Sequence, residues 1–146
     1  MAILTKILSI TLGAVIIILT GTIAYITLSP HQQDQFTEFY ILNIDGKAAD
    51  YPRQVKVGEP VNLIIGVINR ENAPSDYKIV LKLDGQEIDS LETGTLKVNE
   101  RWEKKVSTVA SRAGSGQRLE LYLYLNHEVK PHIKDPLVLI VDVAAQ

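Results

Sequence analysis

The sequence predicts an all-β fold, an antiparallel immunoglobulin-like β-sandwich, preceded by one transmembrane α-helix. Three observations predict it. An uncharged apolar run lies near the start of the chain, short β-rich segments follow at intervals of about 8–14 residues, and no amphipathic helical pattern occurs after residue 30. A small β-barrel is the alternative arrangement for such strands.

The apolar run covers residues 7–28 and contains no charged residue. A helix of this length measures about 33 Å and crosses a hydrocarbon core of about 30 Å. The rival interpretation is a cleaved signal peptide, whose apolar core spans about 7–15 residues and ends in a small-x-small site. This run is longer, and residues 25–30 contain no Ala-x-Ala pattern. We therefore predict an uncleaved anchor over residues 1–30.

The charges that flank the anchor predict its orientation. Lys6 and the amino terminus precede it, whereas residues 31–36 carry Asp34 and no Lys or Arg. The positive-inside rule then leaves the N-terminus in the cytoplasm. We expect a single-pass protein of the cell membrane, with lipid around the anchor, a short linker at residues 31–35 and an extracytoplasmic domain at residues 36–146.

One face of the predicted helix carries small residues. At 100° per residue these fall within about 60° of one another, and they are Ser9, Gly13, Thr20, Ala24 and Thr27. Small residues at such spacing let a second helix approach closely. The alternative is that the hydroxyl groups bond back to their own helix.

Composition excludes several classes of function. Of 15 basic and 17 acidic residues, only Lys6 precedes the linker, so the part of the chain after the anchor holds 14 basic against 17 acidic residues. This balance argues against a nucleic-acid partner, which requires a clustered basic surface. The chain has no cysteine, which excludes disulfides, thiolate zinc sites and cysteine nucleophiles. We expect no cofactor.

The first half of the domain reads as strands separated by turns. Residues 36–42 are β-rich and precede the turn signal Asp45-Gly46. A short apolar pair, Val55 and Val57, follows. Residues 61–68 then alternate, with a face predicted to point inward that consists of Val61, Leu63, Ile65 and Val67.

The clearest hairpin joins residues 77–84 to residues 86–91 through Asp84-Gly85, a pair that tolerates the positive φ of a tight turn. A further strand is expected to begin at Leu96 and Val98. Trp102 opens the next strand, residues 102–109, and is expected in the core.

Two more strands complete the domain. Gly114-Ser115-Gly116 is predicted as a flexible turn, after which residues 119–126 alternate leucines with polar or aromatic residues. Residues 137–143 form the last strand. Tyr122 and Tyr124 point away from the leucines. They either form a binding surface for a glycan or protein, or pack against the stems of neighbouring Lys or Arg side chains.

No catalytic motif is evident. His127 and His132 lie in the segment HEVKPH, which superficially resembles the zinc-protease motif HExxH. The second histidine is one position too far, and Pro131 is incompatible with the required helix. We predict a solvated hairpin loop and no metal ligand. Nucleophile-elbow, P-loop and dinucleotide-binding patterns are absent as well.

The order and spacing of several segments resemble the C-terminal domain of the domain-of-unknown-function 1616 family, prokaryotic and largely archaeal membrane proteins. The segments include FTEFYIL at residues 36–42, GVINRE at residues 66–71, Trp102 and LYLY at residues 121–124. Members typically have several membrane helices before this domain and an aromatic ending, and this chain has one helix and no such ending. The resemblance implies membrane topology and fold, and no catalytic residue.

Three hypotheses of function follow. The leading one is a membrane-anchored, non-catalytic interaction or scaffold subunit of a membrane or cell-surface assembly, with protein partners. The second is a glycan-binding module that uses Tyr122 and Tyr124. The third is a hydrolase that acts on the cell envelope, which requires a pocket with convergent carboxylates or histidines.

Overall fold

The structure, a computed structural model, describes residues 1–28 and 37–146. The chain divides into two units between residues 34 and 35. In the first, a single α-helix, α1, spans Ala2–Leu28. It is long and apolar enough to cross a membrane, and none of its residues is buried. The predicted linker at residues 31–35 lies outside the described residues.

The second unit contains eight strands in the part of the chain described. They are β1 (Glu38–Leu42), β2 (Gln54–Lys56), β3 (Pro60–Ile68), β4 (Ser75–Leu83), β5 (Gln86–Leu96), β6 (Arg101–Val109), β7 (Gly114–Leu125) and β8 (Leu137–Ala144). They form a three-stranded sheet in the order β1-β3-β6 and a five-stranded sheet in the order β2-β8-β7-β4-β5. The predicted all-β, immunoglobulin-like sandwich is confirmed.

The two sheets are separate and retain their edges, so the alternative of a closed barrel is wrong. All strand pairs but one are antiparallel. The exception is β2, which runs parallel to β8 with Val55 opposite Val143. This pairing joins strands far apart in the sequence, and no local pattern predicts it.

The core lies between the inward faces of the sheets. On β3 the predicted inward face is confirmed, because its four apolar side chains are at most 3 % exposed. Opposite it, the leucines of β7 are buried as well, together with the inward-facing residues of β4 and β8, which are Tyr77, Ile79, Leu81, Leu139, Val141 and Val143. Trp102 is partly buried and packs against this core, as predicted. Burial of apolar surface is the main stabilising contribution here.

Two local predictions need correction. The strand expected to begin at Leu96 and Val98 is not separate, since β5 continues through a bulge to Leu96 and Val98 lies in the turn that follows. Gly114 to Gly116, predicted as a turn, are the first residues of β7. There they form a second irregularity, in which the register with β8 shifts between Gly114 and Gln117.

Candidate functional site

The outer face of the five-stranded sheet carries Tyr122 and Tyr124, both half-buried. Tyr122 contacts the charged group of a neighbouring lysine. The Nζ atom of Lys82 lies 5.0 Å from the centre of its ring, a cation–π contact. Its hydroxyl donates to Glu120 at 3.4 Å. Partial desolvation and the negative charge of Glu120 raise the pKa of Tyr122.

Tyr124 has a different environment. It lines an open cleft of about 350 Å³, which we call the tyrosine cleft. The polar residues around it are Lys78, Lys82, Glu87, His127 and Glu128. The cleft therefore combines one aromatic ring with hydrogen-bonding groups of both charges.

A second cleft of about 230 Å³ adjoins the first. We call it the bulge cleft, and its polar lining consists of Asp76, Lys78, Glu92, Thr95 and His127. Lys78 and His127 thus line both clefts.

The bulge cleft lies where strands β4 and β5 lose their regular pairing. The register shifts between Asp76 and Lys78, and Gly94 adopts a positive φ of 68°. The amide of Tyr77 accordingly donates to the Thr93 hydroxyl at 3.2 Å instead of to a main-chain carbonyl. Bulges of this kind bend a strand and redirect its side chains.

The turn after β7 places His127 at the clefts. The amide of Glu128 donates to the carbonyl of Leu125 at 2.8 Å, and the two central residues have positive φ, 46° for Asn126 and 62° for His127. This combination defines a type I′ turn, whose second central position strongly favours glycine. A histidine there adopts a backbone conformation that costs about 1 kcal/mol or more.

A buried polar network lies in the same unit, around Tyr77 and Asn69. Both side chains are at most 2 % exposed. The Tyr77 hydroxyl donates to Asn69 Oδ1 at 2.9 Å and is bonded to the Thr37 hydroxyl at 2.8 Å. Burial, with a smaller contribution from the charge of Glu71, raises the pKa of Tyr77. The network fixes the start of β1 to the end of β3 and the start of β4.

Glu71 extends this network to the long loop between β7 and β8. Its Oε1 accepts from Thr37 at 2.8 Å and lies 3.0 Å from His132 Nε2. Thr37 is 2 % exposed, and its hydroxyl is bonded to Tyr77 as well, so a substrate cannot approach it. The Thr37 hydroxyl is bonded to the Glu71 carboxylate and not to the His132 ring. In a catalytic triad the histidine contacts the nucleophilic hydroxyl and the carboxylate contacts the histidine, so this arrangement differs from one that activates a nucleophile.

The two histidines of HEVKPH therefore have separate environments. His127 is exposed at the clefts, whereas His132 is half-buried beside Glu71. Among residues 1–28 and 37–146, no three His, Asp or Glu side chains are grouped so that they could hold a metal ion.

The predicted small face of α1 is exposed along the helix, apart from the half-buried Gly13. Three of its hydroxyls bond back to the helix, as in the alternative considered above. Ser9 donates to Thr5 O at 2.9 Å, and Thr20 and Thr27 each donate to the carbonyl four residues earlier at 2.8 Å. Packing of a second helix on this face stays a prediction.

Sequence reasoning selected Tyr124 but missed the groups around it. Lys78 and His127 are far apart in the sequence and meet only because β4 pairs with β7. One local signal for His127 was present, since Asn126 follows an alternating strand and asparagine tolerates positive φ.

Comparison with known proteins agrees with this architecture. The model of the family described as "Domain of unknown function (DUF1616)" matches residues 30–138. No curated protein matches the chain. The crystal structure of a CARDB domain from Pyrococcus furiosus, described as in complex with di-metal ions, is similar with a TM-score of 0.51 and 12 % identity. The match covers 77 % of this chain and 97 % of that one.

A solution NMR structure of a CARDB domain from the same organism matches with a TM-score of 0.48 and 14 % identity, over 75 % of this chain and 96 % of that one. At 12 % identity, the similarity to the crystal structure concerns the fold alone.

Proposed function

The chain belongs to the family of the domain of unknown function DUF1616, and from that premise we propose a membrane-anchored, non-catalytic role for it. Its β-sandwich is an extracytoplasmic interaction or scaffold subunit of a membrane or cell-surface assembly. The observation that carries the proposal is the helix Ala2–Leu28, which exposes its apolar side chains along its whole length. A helix of this composition requires lipid or another helix around it.

The orientation in this proposal follows from charge. Lys6 is the one charged side chain of α1, and it lies near the N-terminal end. Positively charged residues are retained on the cytoplasmic side during insertion. The sandwich is then extracytoplasmic, where the absence of cysteine causes no conflict.

The charges on two edge strands support an interaction role. β5 is acidic, with Glu87, Asp89 and Glu92, and β6 is basic, with Arg101, Lys104 and Lys105. Charged side chains on an edge strand discourage indiscriminate strand pairing. They also select partners of complementary charge and increase the association rate.

Cross-linking in native membranes tests this role. We expect the chain, extracted with mild detergent after cross-linking, to be recovered in a defined larger species. If a partner helix packs on the small face, Gly13→Leu should remove this species, because the added side chain holds the helices apart. Thr11→Leu makes a similar change on the opposite face and serves as the matched control.

Two results would contradict the proposal. The first is recovery of the wild-type chain alone and monomeric under all cross-linking conditions. The second is recovery of the chain in the aqueous fraction without its first 28 residues, which would show that α1 is cleaved.

A further inference from the structure

The tyrosine cleft and the bulge cleft together offer both donors and acceptors, with an excess of carboxylates. Asp76, Glu87, Glu92 and Glu128 provide acceptors, and Lys78 and Lys82 provide donors. A ligand rich in hydroxyl groups can satisfy both kinds, because each hydroxyl donates one hydrogen bond and accepts others. A polyanionic ligand would meet the carboxylates, and like charges brought together cost binding free energy.

The two tyrosines of the outer face differ in what they can offer such a ligand. Lys82 Nζ already lies over the ring of Tyr122. Tyr124 instead borders the tyrosine cleft, with its ring half-buried. An aromatic ring provides a flat apolar surface, on which the C–H face of a sugar ring can stack.

His127 adds an observation of a different kind. It is exposed, it lines both clefts, and its backbone has the conformation that glycine adopts most readily. Asn126 compensates for part of the strain, because its side chain accepts from the Asp76 amide at 2.9 Å and its own amide donates to the Asp76 carbonyl at 2.9 Å. His127 makes no comparable contribution to the turn. Strain retained at an exposed residue is typical of a functional position.

We propose that the paired clefts around His127 bind a neutral saccharide, with Tyr124 as the stacking surface and His127 as a hydrogen-bonding group between the two clefts. This inference goes beyond the scaffold role, since it assigns a ligand class and a site. It also selects Tyr124 over Tyr122. Both clefts are open, so they would enclose a ligand on one side only. This geometry fits a few units of a longer glycan chain better than a small metabolite, which is usually buried on most sides.

Binding to immobilised oligosaccharides tests the proposal. The full chain is kept in a detergent without a sugar headgroup, so that the micelle does not compete. The probes are neutral oligosaccharides of hexoses and N-acetylhexosamines, with uronate-containing oligosaccharides as the charged set. We expect retention on at least one neutral probe and weaker retention on every charged one.

Paired variants separate the roles of the residues. Tyr124→Ala should weaken binding by about tenfold through the lost stacking surface, and Tyr124→Leu, which keeps apolar bulk in case the alanine variant fails to fold, should weaken it as well. Tyr122→Ala, on the same strand and face, should weaken binding clearly less than Tyr124→Ala, because it removes only the ring beside Lys82. His127→Gly should raise the melting temperature by about 2–5 °C, yet weaken binding by about threefold.

Three results would overturn the proposal. They are no retention on any neutral probe, equal losses for Tyr122→Ala and Tyr124→Ala, and wild-type binding by His127→Gly. The cross-linking experiment does not depend on these residues, so failure of saccharide binding and failure of the scaffold role remain distinguishable.

Discussion

The hydroxyl of Tyr40 on β1 donates a hydrogen bond of 2.5 Å to Glu103 Oε1 on β6, two strands away. Gly66 on the central strand β3 pairs with both residues. A Cβ at position 66 would lie 2.6 Å from the Tyr40 hydroxyl and closer still to its ring carbons. The absence of a side chain at Gly66 therefore lets Tyr40 lie across the three-stranded sheet.

Gly66→Ala should destabilise the domain by about 1–3 kcal/mol, because the ring of Tyr40 must move away and lose its bond to Glu103. Chemical denaturation of the detergent-solubilised chain measures this. In a Tyr40→Ala background the same substitution should be neutral within about 0.5 kcal/mol. Equal effects in both backgrounds would show that the contact with Tyr40 is not the cause.

The same contact makes stability depend on alkaline pH. Desolvation, followed by the hydrogen bond and charge of Glu103, raises the pKa of Tyr40 to about 12, whereas an unfolded tyrosine titrates near 10. Between these values the folded state binds more protons than the unfolded state, so stability falls as pH rises. Below about pH 10 the contribution is fully present.

Tyr40→Phe lacks this titration. The variant should be less stable than the wild type at pH 8, since it loses the bond to Glu103. The difference should shrink as pH rises from about 10 towards 12, as thermal unfolding at successive pH values would show. A constant difference over that range would contradict the raised pKa.

Local features of the fold were predictable from the sequence. The leucine alternation on β7 follows from the two-residue period of side chains along a strand, and it is confirmed. The Asp84-Gly85 turn follows from the preference of these residues for positive φ, and it is confirmed as well. The contact of Tyr40 with Glu103 was not predictable. It depends on the register of three strands whose sequences lie far apart, and no single segment contains that information.

Asn69→Ala should be among the most destabilising single polar substitutions in the domain. Its side-chain amide donates to the carbonyls of Ala73 and Leu96, each at 2.9 Å. Its oxygen accepts from the Tyr77 hydroxyl and the Glu71 amide, each at 2.9 Å. Removal leaves buried groups without partners, at a cost of about 2–4 kcal/mol.

Tyr77→Phe removes both hydrogen bonds of the Tyr77 hydroxyl, to Asn69 and to Thr37, and should cost about 1–3 kcal/mol. Gln86→Ala, an exposed amide, serves as the control and should change the free energy of unfolding by less than about 0.5 kcal/mol. If Asn69→Ala behaved like this control, the network would not contribute to stability.

The candidate site shows the same division between local and distant information. Outward-facing Tyr124 followed from strand period alone. The clefts themselves depend on the β4–β5 bulge and on the pairing of Lys78 with Tyr124, which only the folded chain reveals. Asn69 and Tyr77 stand in the sequence as an unremarkable loop residue and a strand residue, so their shared network was missed.

Ile17→Arg tests α1 as a membrane helix. Arginine near the middle of a span raises the insertion free energy by about 3–4 kcal/mol relative to isoleucine. We expect a smaller fraction of the chain to resist alkaline carbonate extraction, with Ile17→Ala close to wild type. Equal extraction of the two variants would contradict a transmembrane role for the helix.

Cysteine labelling of intact cells tests the central claim most directly, since the chain contains no cysteine of its own. Single cysteines are introduced at exposed Lys47 in the sandwich and at Ala2 before the span, and a membrane-impermeant maleimide is added. The account predicts labelling at position 47 in intact cells and at position 2 only after permeabilisation. Labelling at position 2 but not at position 47 in intact cells would contradict it.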